Sequence, residues 1–240
     1  MIKAILFDFN GVIIDDEPLQ MKAAQAALAA EGITLTEQDY YDSLGMDDAT
    51  FFRAALARAG RDGDDELFKR VLDEKVRQHR EMIAEELPLF PGVVTFIKAL
   101  ARHYPLAVVS MARRDDIGHV LERAGLERAF TVVVSAEDVS ACKPDPACVN
   151  RALEKLNEAR QRAGQTPLAP AECLVIEDAP PGIEAARRAG MRTLGVTNTV
   201  SESALRAAGA DVVTHSLADW TDDAVRHVFN RDEGGGRRDE

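Results

Sequence analysis

The first residues of the chain, IKAILFDFNG at positions 2–11, form an apolar run that leads directly into an acidic residue. Residues 5–7 predict a buried β-strand, and Asp8 lies where that strand ends. Gly11 allows the chain to turn sharply just beyond it. Because functional residues collect at the carboxyl ends of strands in open parallel sheets, Asp8 is the first candidate for a catalytic or binding residue.

The same order of apolar strand, polar residue and helix recurs after Pro88 and continues almost to the end of the chain. Between helical segments, strands are predicted at 105–109, 131–134, 173–176, 193–196 and 211–213. This alternation indicates an α/β fold with a doubly wound, parallel, Rossmann-like sheet. Further polar side chains lie at the ends of the predicted strands: Ser110, Glu177 and Asp178.

Residues 16–87 interrupt this alternation, because they carry helical patterns and no convincing strand. A capping box at residues 36–39 and an acid at Asp47 or Asp48 mark helix starts within them. Residues 231–240 contain no apolar side chain and predict disorder. The sequence therefore divides into three parts: a core of residues 1–15 and 88–230, an inserted all-helical cap of residues 16–87, and a disordered tail of residues 231–240.

The formal net charge of −12 argues against nucleic acid and anionic membranes as partners. A small phosphorylated molecule is compatible with it, because a metal ion and local cations can reverse the field at a site. The apolar runs are too short to span a membrane, and the chain begins with a strand pattern rather than a signal peptide. Cys142, Cys148 and Cys173 have neither disulfide nor zinc spacing. We expect a cytoplasmic protein that is a monomer or a weak homo-oligomer.

Residues 8–12 (DFNGV), Ser110, Lys143 and the pair Glu177–Asp178 lie in this order along the predicted core. They resemble the four motifs of the haloacid dehalogenase (HAD) superfamily. The helical insertion after the first motif is similar to the C1-type cap of its subgroup that includes β-phosphoglucomutases and phosphoglycolate phosphatases. The four motifs occur in the order that the family shows, each on the expected type of element, and together they span most of the chain.

This resemblance implies an Mg²⁺-dependent hydrolase, most simply a phosphatase that acts on a small phosphorylated metabolite. Asp8 would be the nucleophile and would form an aspartyl-phosphate. The Mg²⁺ ligands would be the Asp8 carboxylate, the backbone carbonyl of Asn10 and the Asp178 carboxylate. Glu177 would hold a metal-bound water.

Four residues are candidates for contacts with the substrate. Lys143 as a point cation and the Ser110 hydroxyl would bind phosphate oxygens. Arg113 follows Ser110 closely enough to reach a substrate anion, and Glu17 lies in the segment that leads to the cap. The histidines show no partner pattern in the sequence, and none is predicted to be catalytic: His79, His103, His119, His215 and His227.

Asn10 departs from the family pattern, because phosphatases and phosphomutases of this family carry an Asp there as general acid and base. An amide neither gives nor takes a proton at ordinary pH, and such assistance is worth about 10²–10⁴-fold. The protein would then turn over its substrate slowly, bind phosphate without turnover, or carry Asn10 as an engineered substitution that traps the intermediate. If turnover is only slowed, we expect Asn10→Asp to restore about 10²-fold or more. Glu17 is the next candidate for the acid and base.

Phosphomutases, phosphonatases and dehalogenases use the same nucleophile and are alternatives to a phosphatase. In sugar phosphomutases of this family, a Lys-Gly-x-x-Arg stretch of the cap binds a second phosphate. The similar segment here, LGMDD at residues 44–48, is acidic instead. A mutase therefore ranks below a monophosphatase. Phosphonate cleavage requires a Schiff-base lysine, and the sequence shows no lysine of the cap clearly placed for it; Lys22 is the one lysine left open for that role.

Overall fold

A computed structural model describes residues 1–84 and 87–230 of the chain. Six parallel strands form one sheet in the order β3-β2-β1-β4-β5-β6. The strands are β1 Ala4–Phe7, β2 Leu106–Val109, β3 Val132–Val134, β4 Cys173–Glu177, β5 Arg192–Val196 and β6 Val212–Thr214. The predicted doubly wound, Rossmann-like α/β fold is confirmed.

Ten α-helices surround or follow the strands in the described residues. Their bounds are α1 Glu17–Ala29, α2 Glu37–Tyr41, α3 Asp48–Arg58, α4 Asp65–Ala84, α5 Val93–Leu100, α6 Arg114–Arg123, α7 Ala147–Arg162, α8 Pro180–Arg188, α9 Glu202–Ala208 and α10 Asp222–Phe229. The sequence analysis missed α9 and α10. These helices have only 7 and 8 residues, so each offers few apolar positions from which a helical period can be read.

Strand β1 lies in the centre of the sheet, because β2 and β4 both pair with it in parallel. Its Ile5 and Phe7 side chains belong to the larger hydrophobic core, together with residues of α5, α6 and α10. Leu6 belongs to a second core that includes residues of α7 and α8. Both faces of the sheet are therefore covered, which explains why β1 is a continuous apolar run rather than an alternating one.

Helices α1–α4, called here the helical insert, lie between β1 and β2 in the chain. They share a hydrophobic core of their own, which includes Leu28, Phe52 and Leu67. Thr36 and Asp39 form the predicted capping box, and Asp47 caps α3 through the backbone N–H of Thr50. The domain boundaries themselves remain a prediction.

The predicted disordered tail, residues 231–240, lies outside the described residues. In the described part of the chain, no helix is both long and apolar enough to cross a membrane.

Candidate active site

Three carboxylates lie close together at the carboxyl ends of β1 and β4, where the order of the strands in the sheet reverses. Asp8 directly follows β1, Glu177 ends β4, and Asp178 follows Glu177. The strand order reverses between β1 and β4, and this is the crevice in which open α/β sheets bind ligands. One oxygen of each carboxylate lies within 4.8 Å of one oxygen of each of the others, and all three residues are buried. The structure thus brings Asp8 and Asp178, the two carboxylates that the resemblance implies as metal ligands, together at one edge of the sheet.

Lys143 completes this cluster, although it is far from the acids in sequence. Its ammonium donates hydrogen bonds to Asp8 Oδ1 at 2.6 Å, to Glu177 Oε1 at 2.5 Å and to the Val109 carbonyl at 3.3 Å. Burial lowers the pKa of Lys143, but the Asp8 and Glu177 carboxylates outweigh it and hold that pKa well above its usual value. We call Asp8, Lys143, Glu177 and Asp178 the sheet-edge wall.

The sheet-edge wall carries more negative than positive charge. Burial raises the pKa of Asp8 to about 7, and the Glu177 carboxylate adds to this effect while Lys143 opposes it. Burial also raises the pKa of Asp178, with repulsion from Glu177 and Asp8 contributing. When ionised, three carboxylates and one ammonium leave an excess of two negative charges. Buried oxygen donors with this excess fit a hard divalent cation.

Two glycines bring backbone close to these acids. A Cβ on Gly11, where φ is +78°, would lie 1.9 Å from Asp178 Oδ2. A Cβ on Gly182 in α8 would lie 1.8 Å from Glu177 Oε1. Both acids therefore pack directly against backbone, and any larger residue at either glycine would displace a carboxylate of the cluster.

Ser110 and Arg113 lie on the other side of Asp8, in the segment between β2 and α6. Ser110 is buried, and its hydroxyl accepts a hydrogen bond from the backbone N–H of Ala112 at 3.0 Å. Arg113 is half-buried and immediately precedes α6. Both residues line the pocket above the sheet-edge wall.

The opposite side of the pocket belongs to the helical insert. Glu17, Tyr40, Asp48 and Lys75 come from α1, α2, α3 and α4, and all four line the pocket. Tyr40 Oη donates to Glu17 Oε1 at 2.7 Å, and Lys75 Nζ bonds both oxygens of Asp48 at 2.7 and 2.9 Å. Burial raises the pKa of Glu17 and of Tyr40. We call these four residues the helical wall.

The sequence analysis identified only Glu17 from the helical wall as a site residue. It missed Lys75, a lysine of the insert that lines the pocket and is buried against Asp48. Lys22, the lysine that the sequence left open for a Schiff base, is exposed and is not among the described residues that line this pocket.

A second polar network lies beside Asn10. Asp16 is fully buried, and its carboxylate accepts hydrogen bonds from Asn10 Nδ2 and Gln20 Nε2, both at 2.9 Å. His79 Nε2 lies 2.8 Å from Asp16 Oδ2. The sequence shows no partner for His79, because Asp16 lies 63 positions away and only folding brings the two together.

The sequence model of a family described as haloacid dehalogenase-like hydrolases matches residues 2–190. A phosphorylated carbohydrates phosphatase from Thermotoga maritima is 30% identical over 215 residues, which cover 87% of this chain and 92% of that protein. The fructose-1-phosphate phosphatase YqaB from Escherichia coli is 30% identical over 192 residues, with 80% of this chain and 95% of that protein covered.

Solved structures share the fold over nearly the whole chain. A β-phosphoglucomutase from Clostridium difficile superposes with a TM-score of 0.82 at 22% identity, covering 96% of this chain and 98% of that one. A mutant of CbbY from Rhodobacter sphaeroides, in complex with xylulose-1,5-bisphosphate, has a TM-score of 0.73 at 26% identity. This match covers 91% of the present chain and 96% of the CbbY chain.

Proposed function

The chain belongs to the haloacid dehalogenase-like hydrolase family, and on that premise we propose that it is a phosphatase with Asp8 as its nucleophile. The observation that carries this proposal is the sheet-edge wall, where Asp8 lies among two further buried acids and one buried lysine. A carboxylate at the end of a strand, beside a site for a cation, is the arrangement that phosphoryl transfer through a covalent intermediate needs.

In the proposed reaction, an oxygen of the Asp8 carboxylate attacks phosphorus as the bond from phosphorus to the leaving alcohol oxygen breaks. The alcohol departs after its oxygen gains a proton from solvent water, because Asn10 has none to give, and Asp8 carries the phosphoryl group. A water then attacks phosphorus, loses a proton to the solvent and releases inorganic phosphate, which regenerates the carboxylate. Asp8 must be ionised for the first step, and both Lys143 and a bound cation would favour its charged form.

A divalent cation fits the excess of two negative charges at the sheet-edge wall, and Mg²⁺ is the proposed ion. The Asp8 and Asp178 carboxylates and the Asn10 backbone carbonyl would hold it, with Glu177 behind a bound water. When bound, it would supply positive charge against the phosphate oxygens.

Lys143, Ser110 and Arg113 are the proposed contacts for the phosphoryl group. Lys143 is a buried ammonium beside the nucleophile, which is where charge on the transferring oxygens needs compensation. The Ser110 hydroxyl adds a neutral donor. Arg113 also lines the pocket and is half-buried, and we propose that it assists binding of the substrate anion.

A small molecule with one phosphate and several hydroxyl groups suits the helical wall best. Glu17 and Asp48 offer carboxylate oxygens that accept hydroxyl hydrogens. The side-chain oxygen of nearby Gln20 is buried and meets no donor among the described residues. The relatives named above act, by their names, on phosphorylated carbohydrates and on fructose-1-phosphate. We therefore propose a sugar or polyol monophosphate as the substrate class.

A second phosphate is disfavoured by the helical wall, because the charge of Lys75 is already neutralised by Asp48. This ranks a phosphomutase with a bisphosphate intermediate below a phosphatase. The ion pair also occupies Lys75, which argues against its use as a Schiff base. Asn10 supports one other candidate, a phosphate-binding relative with little turnover, because an amide supplies no proton.

The proposal is tested with a panel of hexose, hexitol and pentose monophosphates, a sugar bisphosphate, an alkyl phosphonate and p-nitrophenyl phosphate. Phosphate release is measured with Mg²⁺ and with a chelator. We expect release from p-nitrophenyl phosphate and from some monophosphates, only with Mg²⁺. Release that survives the chelator, or that is confined to the phosphonate, would contradict the proposal. Tight phosphate binding without release from any ester would favour the binding protein.

A further inference from the structure

The side-chain amide of Asn10 donates a hydrogen bond to the Asp16 carboxylate, a residue to which the family resemblance assigns no role. Asp16 is fully buried, and its oxygens receive Asn10 Nδ2, Gln20 Nε2 and His79 Nε2 at 2.8–2.9 Å. These three donors come from the loop after β1, from α1 and from α4. The Asp16 carboxylate is therefore well supplied with hydrogen-bond donors, as a buried charge must be.

This arrangement fixes the orientation of the Asn10 side chain. The opposite orientation of its amide would place the carbonyl oxygen against the Asp16 carboxylate, where two acceptors would repel each other. The nitrogen must therefore face Asp16. The carbonyl oxygen is left as the free polar atom of a side chain that lines the pocket.

The same contact makes a carboxylate at position 10 unfavourable. It would put two acids at hydrogen-bond distance in a buried site, where both cannot be ionised together. One of them would have to hold the proton between them, or the side chains would have to separate. Because of this neighbour, Asn10→Asp alone should restore less turnover than the sequence predicts.

We propose that Asp16 is a positioning residue that requires an amide at position 10 and sets its orientation. The residue types at positions 10 and 16 would then depend on each other, with an amide at one and a carboxylate at the other. Reversing the pair, with Asn10→Asp and Asp16→Asn together, keeps a hydrogen bond between the two positions and exchanges donor and acceptor. The readout by turnover rests on the proposed function, whereas the readout by stability does not.

The effect on turnover depends on whether the residue at position 10 or the residue at position 16 holds the acidic proton. In the reversed pair, the acid at position 10 would give its proton to the leaving alcohol oxygen as the phosphorus–oxygen bond breaks. It would then take one from the water that attacks the phosphorylated Asp8. With Asn10→Asp alone, Asp16 competes for that proton, because it is the nearest acceptor.

The test is a double-mutant cycle of the wild type, Asn10→Asp, Asp16→Asn and the double variant. Melting temperature without added metal is one readout, and kcat and KM for an alkyl monophosphate with Mg²⁺ are the other. We expect Asn10→Asp to lower the melting temperature in the wild-type background and not in the Asp16→Asn background. We expect the double variant to exceed the wild type in kcat by about 10²-fold, the scale of acid–base assistance, and the single variant by much less.

Asp15→Asn is the matched control, because Asp15 is exposed and carries the same charge one position away. Asn10→Asp should lower the melting temperature as much in this background as in the wild type. Equal effects of Asn10→Asp with and without Asp16→Asn on melting temperature, or on kcat where the variants release phosphate, would overturn the inference. If no variant releases phosphate, the proposed function fails, while the melting temperatures still decide the role of Asp16. If the double variant does not fold, the reversed pair is not tolerated and the inference is equally overturned.

Discussion

The two walls of the pocket are built in different ways. The three acids of the sheet-edge wall lie at or just beyond the ends of the central strands, and Gly11 and Gly182 let backbone approach two of their carboxylates. Lys143 reaches Asp8 and Glu177 from a loop. The helical wall is assembled from one side chain of each of four helices, joined in pairs by side-chain contacts. The first wall therefore tolerates almost no change, whereas the second can be altered one pair at a time.

This difference separates chemistry from selectivity. A reacting group must be held to within a fraction of an ångström, which strand ends and close backbone contacts achieve. The part of the substrate away from phosphorus needs only complementary charge and hydrogen bonds. We therefore expect substitutions in the sheet-edge wall to remove activity, and those in the helical wall to change which substrate is used.

The largest effect is expected from Asp8→Asn. This change removes the proposed nucleophile and should reduce phosphate release by several orders of magnitude with every substrate. The fold should survive, because Asn is nearly isosteric and one buried negative charge is lost from a cluster that repels itself. Steady-state kinetics and circular dichroism check the two statements. Near-normal activity of Asp8→Asn would reject covalent catalysis by this residue.

A second test exchanges a glycine for alanine at the sheet-edge wall. Gly182→Ala would bring a Cβ to within 1.8 Å of Glu177 Oε1, so Glu177 would move away from Lys143. We expect kcat to fall about 10- to 100-fold, the usual cost of disturbing the partners of a metal site. Gly118→Ala in α6 is the control, since its Cβ would meet nothing within 4 Å. It should keep activity and gain about 0.5–1 kcal/mol of stability.

The charge of the sheet-edge wall predicts how metal-free protein responds to pH. The folded pKa of Asp8 is raised from 3.8 to about 7, so the folded state binds more protons than the unfolded state between these values. The free energy of unfolding should therefore fall as pH rises from about 4 to about 7. Chemical denaturation in the presence of a chelator measures it, with Asp8→Asn as the reference. A wild type that follows the pH dependence of Asp8→Asn would contradict the charge assignment.

The smallest effects are expected in the helical wall, from Asp48→Asn. Lys75 would keep a buried ammonium without its partner, at a cost of about 2 kcal/mol. This is below the cost for a fully buried pair, because 29% of the Asp48 side chain is exposed. Asp65→Asn breaks the exposed pair with Arg53 and should cost at most about 1 kcal/mol.

Selectivity should change in the same Asp48→Asn variant. A free Lys75 ammonium would attract a second phosphate, so kcat/KM for a sugar bisphosphate should rise relative to that for the monophosphate. The ratio of the two values should stay unchanged in Asp65→Asn. An unchanged ratio in Asp48→Asn would show that Lys75 does not contribute to the choice of substrate.

The same contrast explains what could be predicted from the sequence. Asp8, Ser110 and the pair Glu177–Asp178 were found because strand ends are local features, and parallel strands bring their carboxyl ends to one edge. Lys143 lies in a loop, and only the family resemblance identified it. The positions of the strands along the chain and the helical nature of residues 16–84 followed from apolar periodicity in the same way.

The pairs Asp48–Lys75 and Asp16–His79 could not be predicted from local pattern. Their members are separated by 27 and 63 positions, and they meet only after α1, α3 and α4 have packed against one another. From the sequence alone, an acid or a histidine on a helix is predicted to lie on the surface, because its buried partner is not yet known. The clue that the sequence did offer is that His79 and Lys75 lie one helical turn apart in a helix with a buried face.

The central claim is that Asp8 becomes phosphorylated, and it can be measured directly. The protein is mixed with p-nitrophenyl phosphate and Mg²⁺, quenched with acid at short times, and digested for mass spectrometry of the peptide that contains Asp8. Because Asn10 supplies no base for the attacking water, the intermediate should accumulate. We predict a burst of p-nitrophenol near one equivalent and one phosphoryl group on Asp8 that decays slowly. Turnover without a burst and without phosphorylated Asp8, or a phosphoryl group on another residue, would contradict the account.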